Sequence, residues 1–432
     1  MGTLKRNRLV VVAAALVLAP SLVWGAGFAL FEHGNRGMAM GGAMTAIADD
    51  PSALFWNPAG LALQADKGTQ VQFGVTLISA SQDFSGEGPY PGDGYFASQK
   101  DQVFFPPHFY LVYPVNDRIV LGFGMNTPFG LGTWWEDDFA GRYISKRVDI
   151  KRVDMNPTIG FKLTDRVTFG VGIIYAQGSI DLTPGLGVVN PFTQQLTDVG
   201  QVHLYAELSE NDGWGWDAGL HFDLGKGFEA GILYRSQVDI DYEGYGSFTQ
   251  FPTGYPEFDA AVGSIIPFGE NVPVRTSISF PDFFSIGMAW TAEQFTVSAQ
   301  YGWMGWATFK ELPIEFVGHP ELSGTVPELY KNVSQYRLGL EYRMDESWAF
   351  RGGLLYDDTP QPAESMSPLL GDGDRKGISV GIGWKYKSIT IDVADMYLFF
   401  DSRSTHGRSI DGYEGRYETS ANLFGVTFTY TF

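Results

Sequence analysis

From Gln70 to the end of the chain, apolar and polar residues alternate with a period of two, the periodicity of a strand with two different faces. The last stretch shows it most cleanly. Phe424, Val426, Phe428, Tyr430 and Phe432 share one face, and Gly425, Thr427, Thr429 and Thr431 share the other. In 347–358, Trp348, Phe350, Leu354 and Tyr356 oppose Arg351 and Asp357. In 227–243, Ala230, Ile232, Tyr234, Val238 and Ile240 oppose Arg235, Gln237, Asp239 and Asp241. Lipid cannot hydrate a charge, so the apolar face is read as lipid-facing and the charged face as lumenal.

The pattern gives fourteen strands: 70–80, 103–113, 118–126, 148–163, 166–180, 214–224, 227–243, 279–291, 293–310, 331–343, 347–358, 376–387, 388–402 and 417–432. Their connections alternate between short and long. Pro114-Val115-Asn116-Asp117, Thr164-Asp165, Gly225-Lys226 and Asp345-Glu346 are short turns, whereas 81–102, 127–147, 181–213, 244–278, 311–330, 359–375 and 403–416 are long. An even strand number with its long loops at one end is the signature of a transmembrane β-barrel, and closure leaves no unpaired edge in hydrocarbon. The expected fold is therefore all-β, a fourteen-stranded antiparallel transmembrane barrel over 68–432.

The first residues read differently. Lys5, Arg6 and Arg8 precede the apolar run Leu9 to Leu18, and Val23 and Gly25 suit a signal-peptidase site, so 1–25 is expected to be a secretory signal peptide with Ala26 as the first mature residue. The apolar run is too short to span a bilayer. Residues 26–67 are rich in Ala, Gly and Met and lack the two-residue alternation. They are expected to fold inside the lumen as a hatch, or plug.

Charge and residue chemistry narrow the function. The formal net charge is −20, and removing Lys5, Arg6 and Arg8 takes it to −23, which argues against a nucleic-acid partner. The chain has no cysteine, so neither a disulfide nor a thiolate site is available. The six histidines show no metal-ligand spacing, and no metal or cofactor is expected. Gly377-Ile378-Ser379-Val380-Gly381 matches GxSxG, but the strand alternation runs through it, whereas that motif needs a sharp strand-to-helix turn. His221 and Asp223 read as a lumenal hydrogen-bonding pair, and Asp372-Gly373-Asp374 as a solvated loop. No nucleophile, base and orienter set emerges, so the chain is not read as an enzyme.

Several motifs then resemble one family. Ala26-Gly27-Phe28, Ala48-Asp49-Asp50, Asn57-Pro58-Ala59-Gly60, the stretch from Asn126 to Gly141, the stretch from Tyr234 to Gly244, and Tyr356-Asp357-Asp358-Thr359-Pro360 occur in order along the mature chain. Together they resemble the FadL/TodX family of outer-membrane transporters of hydrophobic compounds. The resemblance implies a fourteen-stranded barrel with a lumenal hatch that carries Asn57, Pro58 and Ala59. It also implies an internal ligand pocket near the mature N-terminus, and a kinked third strand through which ligand leaves sideways into the membrane. Pro128, Phe129 and Gly130 are the expected place of that kink, since proline cannot donate a ladder bond and glycine permits bulges. Phe28 is the expected hatch side chain at the pocket.

The expected ligand is a long-chain fatty acid, with aromatic hydrocarbons of the toluene kind as the alternative. The expected surroundings are outer-membrane lipid and lipopolysaccharide, and the expected state is a monomer. A general porin is the rival that an open lumen would favour. Loops 181–213 and 244–278 are unusually apolar, with Leu186, Val188 and Phe192 in one and Phe251, Phe258, Ile266 and Phe268 in the other. Exposed apolar patches of this kind mark binding surfaces, so a ligand-capturing groove between the two loops is expected. Arg235, Arg337 and Arg351 point inward by alternation, each available either to a ligand carboxylate or to an acid such as Glu341 or Asp357.

Overall fold

The computed structural model describes residues 27–432; the expected signal peptide and Ala26 lie outside the described residues. Fourteen antiparallel strands close into a barrel. They are β1 (Gln70–Gly86), β2 (Pro107–Pro114), β3 (Ile119–Trp134), β4 (Arg147–Thr164), β5 (Val167–Thr183), β6 (Asp212–Gly225), β7 (Phe228–Arg235 and Val238–Gln250) and β8 (Asn271–Phe280 and Phe283–Ala292). The wall continues with β9 (Phe295–Met304), β10 (Val333–Arg343), β11 (Trp348–Asp357), β12 (Arg375–Tyr386), β13 (Ile389–Phe400) and β14 (Gly415–Thr431). β14 pairs with β1 from Gln70↔Thr431 to Gly86↔Gly415, which removes the sheet edge.

The faces sort as lipid demands along most of the wall. In β14, Phe424, Val426 and Tyr430 are exposed, while Gly425, Thr427 and Thr429 are buried. In β11, Trp348, Phe350 and Leu354 are exposed and Asp357 is fully buried. Gly377 to Gly381 lies within β12 as an ordinary strand.

One strand departs from its expected faces. β7 breaks at Ser236-Gln237, and its partner β8 breaks opposite, at Pro281-Asp282. Register is kept across the break, with Arg235↔Phe283 on one side and Val238↔Phe280 on the other. The step from Arg235 to Val238 contains one residue too many for the alternation, so the inward parity flips. Val238 and Ile240, expected to face lipid, are completely buried, and Asp239 and Asp241, expected in the lumen, are exposed. Pro281 has no N–H to give a continuous ladder, which is the local reason for the break. The ninth strand is also shorter than expected: β9 ends at Met304, and Trp306–Thr308 turns inward as a short 3-10 helix.

The long loops carry structure. Within 181–213 lies a hairpin of Gly185–Val189 and Leu196–Ala206, and within 244–278 the helix Pro256–Gly263. Between β9 and β10, Glu311–Phe316 pairs with Gly324–Pro327.

Residues 27–67 hydrogen-bond to strands around the whole barrel. Glu32 O accepts from Thr76 of β1, Asn35 donates to Thr427 of β14, Ala39 O accepts from Ser379 of β12, and Thr45 donates to Gln300 of β9. Asn57 ties the segment both to itself and to the wall. Its amide donates to Thr45 O and to Leu220 O of β6, and its carbonyl oxygen accepts from Ala59 N, capping the 3-10 helix Pro58–Gln64. Ala59 O accepts from Thr168 of β5. The close approach requires glycine on the wall: a β-carbon on Gly219 would lie 2.0 Å from Asn57 Oδ1, and one on Gly170 would lie 2.2 Å from the Pro58 carbonyl.

Candidate functional site: a cavity behind a break in the wall

The site begins with a bulge. β3 pairs with β4 through Asn126↔Asp154 and resumes at Phe129↔Arg152, so β3 carries one extra residue at Thr127-Pro128. On its other edge, β3 pairs with β2 only from Met125↔Phe109 to Val120↔Pro114. Contact with the preceding segment returns at Lys100 N, which donates to Trp134 O at 2.7 Å. Between those points the ladder of β2 and β3 is interrupted.

The lumenal segment covers the interruption from inside. Ala29 forms an antiparallel bridge with Phe129, Leu30 N donates to Pro128 O at 2.8 Å, and Gly130 N donates to Phe28 O at 3.1 Å. Beside this contact is a cavity of about 730 Å³. Its lining includes Phe28, Ile78, Phe104, Leu131, Leu398 and Arg375. Gly130 and Gly132 give it a thin wall on the β3 side.

The Phe28 ring packs among aromatic rings. Its centroid is 4.8 Å from Trp306, 5.8 Å from Phe309, 6.1 Å from Phe129 and 6.2 Å from Phe280. Arg152 lies 5.1 Å from both the Phe129 and Phe280 rings and is held by Asp154 through two hydrogen bonds. Such a bidentate pair fixes the guanidinium plane over the rings.

The three arginines expected to face inward do so, and each has its own acid or carbonyl. Arg235 donates to Phe55 O at 2.6 Å, beside Asp217. Arg337 pairs with Asp357 at 3.1 Å and donates to Gly41 O. Arg351 bridges Glu341 at 2.6 Å and Asp392 at 2.7 Å. Glu341 also receives Arg36 from the lumenal segment, and Arg36 in turn holds Asp49 and Asp50. None of the three lines the 730 Å³ cavity. Three cations do, Arg147, Lys151 and Arg375, and the buried one is Arg375, beside Asp357 and donating to Ala29 O. It lies one residue before the predicted strand start at 376. Arg152 and Phe104 were also legible only as strand residues, because alternation gives the face of a side chain and not its neighbours.

The remaining expectations sort as follows. Leu186, Val188, Phe258, Ile266 and Phe268 come together with Val199 and Val262, so the two apolar loops share one cluster. Phe192 stacks on Tyr255 at 5.7 Å across the same two loops, and Phe251 lies 5.8 Å from Lys146 Nζ. His221 faces the lumen and contacts Ala46 O, whereas Asp223 is exposed and caps Gly225 N in the turn. The Asp372-Gly373-Asp374 loop is not solvated. Asp372 is 3% exposed and accepts from Gly27 N and Thr359, and burial pushes its carboxyl above the usual carboxylate range.

Comparison with known proteins follows this architecture. Residues 16–432 match the family model described as outer membrane protein transport protein (OMPP1/FadL/TodX). The chain is 28% identical to the long-chain fatty acid transport protein of Escherichia coli K12, covering 97% of each chain. It is 24% identical to outer membrane protein P1 of Haemophilus influenzae, covering 97% of this chain and 98% of that one. A crystal structure of a Pseudomonas aeruginosa FadL homologue shares the fold at a TM-score of 0.81 and 21% identity, over 94% of this chain and 100% of that one. The Pseudomonas putida toluene transporter TodX does so at 0.70 and 17%, over 95% and 99%. The chain thus belongs to the OMPP1/FadL/TodX family, outer-membrane β-barrels that transport hydrophobic compounds and are not enzymes.

Proposed function

We propose that this barrel carries long-chain fatty acids, and that ligand leaves the 730 Å³ cavity sideways through the interrupted ladder between β2 and β3. The observation that carries the reading is the coincidence of the two: the cavity lies against the one extra residue of β3, with Phe28 and Ala29 against its inner side. A fatty acid released into the periplasm would expose its chain to water at about 0.8 kcal/mol per CH₂. Release through the wall into lipid avoids most of that. The lumenal segment, anchored by Asn57, Pro58 and Ala59, acts as the hatch that blocks the direct route and excludes a general porin.

Two observations favour a fatty acid over an aromatic hydrocarbon. Arg375 at the cavity wall offers a carboxylate a charge-assisted hydrogen bond, which a hydrocarbon does not use. The curated relatives at 28% identity are long-chain fatty acid transport proteins. Capture begins at the loop cluster of Leu186, Val188, Phe258, Ile266 and Phe268, with Phe192 and Phe251 at its margin. The protein acts as a monomer, surrounded by outer-membrane lipid and lipopolysaccharide.

The test is the double substitution Pro128→Val and Gly130→Val, which favours continuous pairing of β3. Barrel assembly, read as heat-modifiable gel mobility, is expected to survive while oleate uptake collapses. Normal uptake by the folded variant would place the exit elsewhere.

A further inference from the structure

The 730 Å³ cavity also has an outer, charged end. Besides Phe28 and Arg375 it is lined by Arg147, Asp149 and Lys151, which stand on the outward face of β4. Gly130 of β3 is the cross-strand partner of Lys151 and lines the same cavity. It has no side chain of its own to stand between the ammonium group and the cavity. The Lys151 side chain is 51% exposed.

The outward faces of three neighbouring strands fix the height of this end. On β4 the outward positions are apolar from Leu163 to Val153 and charged from Lys151 to Arg147. On β5 the same face is apolar or aromatic from Val167 to Tyr175 and polar from Gln177 to Asp181. On β6 Trp216 and Trp214 give way to Asp212. Met155, Tyr175 and Trp214 are neighbours in register, and the Tyr175 and Trp214 rings lie 4.8 Å apart. Aromatic rows of this kind mark the edge of the hydrocarbon. Lys151 and Arg147 lie beyond that row, on the side of the long loops, at the level of lipid head groups.

Each of these cations has an exposed acid. Lys151 Nζ pairs with Asp149 at 2.9 Å. Arg147 pairs with Asp181 at 3.7 Å and lies 5.6 Å from the Trp134 ring. Asp181 also meets His203, and Asp101 lines the cavity. Exposed pairs contribute little to folding, and an ammonium group has three donors. Lys151 can therefore donate to a further anion while it keeps Asp149.

We propose that Lys151, with Arg147 beside it, is an exit-side station for the carboxylate of the ligand. The chain enters lipid first, and the head group stays behind among the lipid head groups. A carboxylate drawn into hydrocarbon would lose its hydration without gaining a partner. The cavity offers it a cation at each end, Arg375 inside and Lys151 at the mouth, with Ile78, Phe104, Leu131 and Leu398 in the lining for the chain. The inference rests on the lateral-exit reading above and adds to it the orientation in which the ligand leaves.

The experiment has two arms. In cells, oleate and oleyl alcohol serve as probes of equal chain, one charged and one not, with the variants Lys151→Gln, Lys151→Gln with Arg147→Gln, and Lys151→Arg. Heat-modifiable mobility checks the fold. The double variant is expected to lose several-fold in maximal oleate uptake with KM nearly unchanged, because the station acts after capture. Uptake of oleyl alcohol is expected to stay at the wild-type rate, and Lys151→Arg to retain oleate uptake. Unaltered oleate uptake by the double variant would overturn the station. Equal loss of both probes would also overturn it and assign these cations to the surrounding lipid instead. In the second arm, purified protein is treated with oleate and a water-soluble carbodiimide, which joins a carboxylate to an adjacent amine. Mass spectrometry is expected to find the oleoyl amide on Lys151 in preference to the exposed turn lysines Lys226 and Lys387. Equal labelling of all three, or none on Lys151, would overturn the station. Preferential labelling of Lys151 without oleate uptake by wild-type cells would leave the station standing and overturn the transport reading.

Discussion

The ring of Phe104 lies against the backbone of Gly132, so close that a β-carbon at 132 would sit 2.2 Å from Phe104 Cζ. Phe104 comes from the segment Gln102–Phe104, which pairs with β1, and Gly132 from β3 beyond its bulge. The two therefore meet across the interrupted ladder. Placing valine at 132 forces the Phe104 ring away from its seat and into the cavity. The expected outcome for Gly132→Val is a folded barrel whose oleate uptake falls by about an order of magnitude. Phe104→Ala in the same background is expected to restore it. Failure of the second substitution to rescue would separate the defect from the Phe104 contact.

Phe28 contacts four aromatic rings, which makes it the main apolar anchor of the first lumenal residues. Removing a buried phenylalanine ring typically costs about 3–5 kcal/mol. Phe28→Ala is expected to spend that locally, loosening the Ala29–Phe129 bridge while the wall ladders stay intact. Amide exchange at Leu30 and Gly130, the donors of that bridge, should accelerate strongly, with exchange in β12 to β14 unchanged. Protection equal to wild type at those two amides would show that the bridge does not depend on the ring.

Glu341 is the wall residue that receives Arg36, Arg343 and Arg351 together, and it is 1% exposed. Removing one member of a buried ion pair costs about 3–5 kcal/mol, because the partner charge stays buried. Glu341→Leu leaves Arg36 with Asp49 and Asp50 alone and frees the lumenal segment from this part of the wall. Planar-bilayer recordings are expected to show ion-conducting openings that wild type lacks. A silent variant would mean that the other contacts of the segment suffice to seal the lumen.

Glu328, in the segment leading to β10, is 7% exposed, and burial pushes its carboxyl up to about 8, with Asp411 of another loop adding to the effect. In an opened loop it ionises near the ordinary glutamate value of about 4.3. Between these values the opened loop has released a proton that the packed loop retains, so packing weakens as pH rises through that window. Protease cleavage within 318–330 is expected to accelerate from pH 5 to pH 8, at roughly constant intrinsic protease activity after correction. Glu328→Gln should flatten the profile. A profile identical to wild type would rule this carboxyl out as its source.

Capture by the outer loops is tested by shortening 191–195 and 254–257, the exposed ends beside the shared cluster of Phe258 and Val262. Uptake at low ligand concentration is expected to fall, with the maximal rate nearly unchanged. If uptake is unaltered at all concentrations, the two loops only pack on one another.

The sequence alone determined the barrel. Lipid penalises a charge on the outer face so heavily that alternation, strand count and the segregation of long loops survive in the residue pattern, from Phe424 to Phe432 as in Trp348 to Asp357. The residue pattern by itself ended the third strand at 126 and made 127–147 a loop; a kink at Pro128 to Gly130 was expected only through the family resemblance, whereas the strand runs on to Trp134 with its extra residue at Thr127-Pro128. What the tertiary structure decided was pairing and phase. Arg235, Arg337 and Arg351 face the lumen as alternation gives, yet only the fold shows which acids hold them, Asp217, Asp357, Glu341 and Asp392, and that Arg375, sharing Asp357 with Arg337, lines the cavity while they do not. The inversion of Asp239 and Val238 was invisible for a related reason: their strand extends beyond the break at Ser236-Gln237 to where Asp239 is exposed, and the rule that hides charges in the lumen holds only where the surroundings are hydrocarbon.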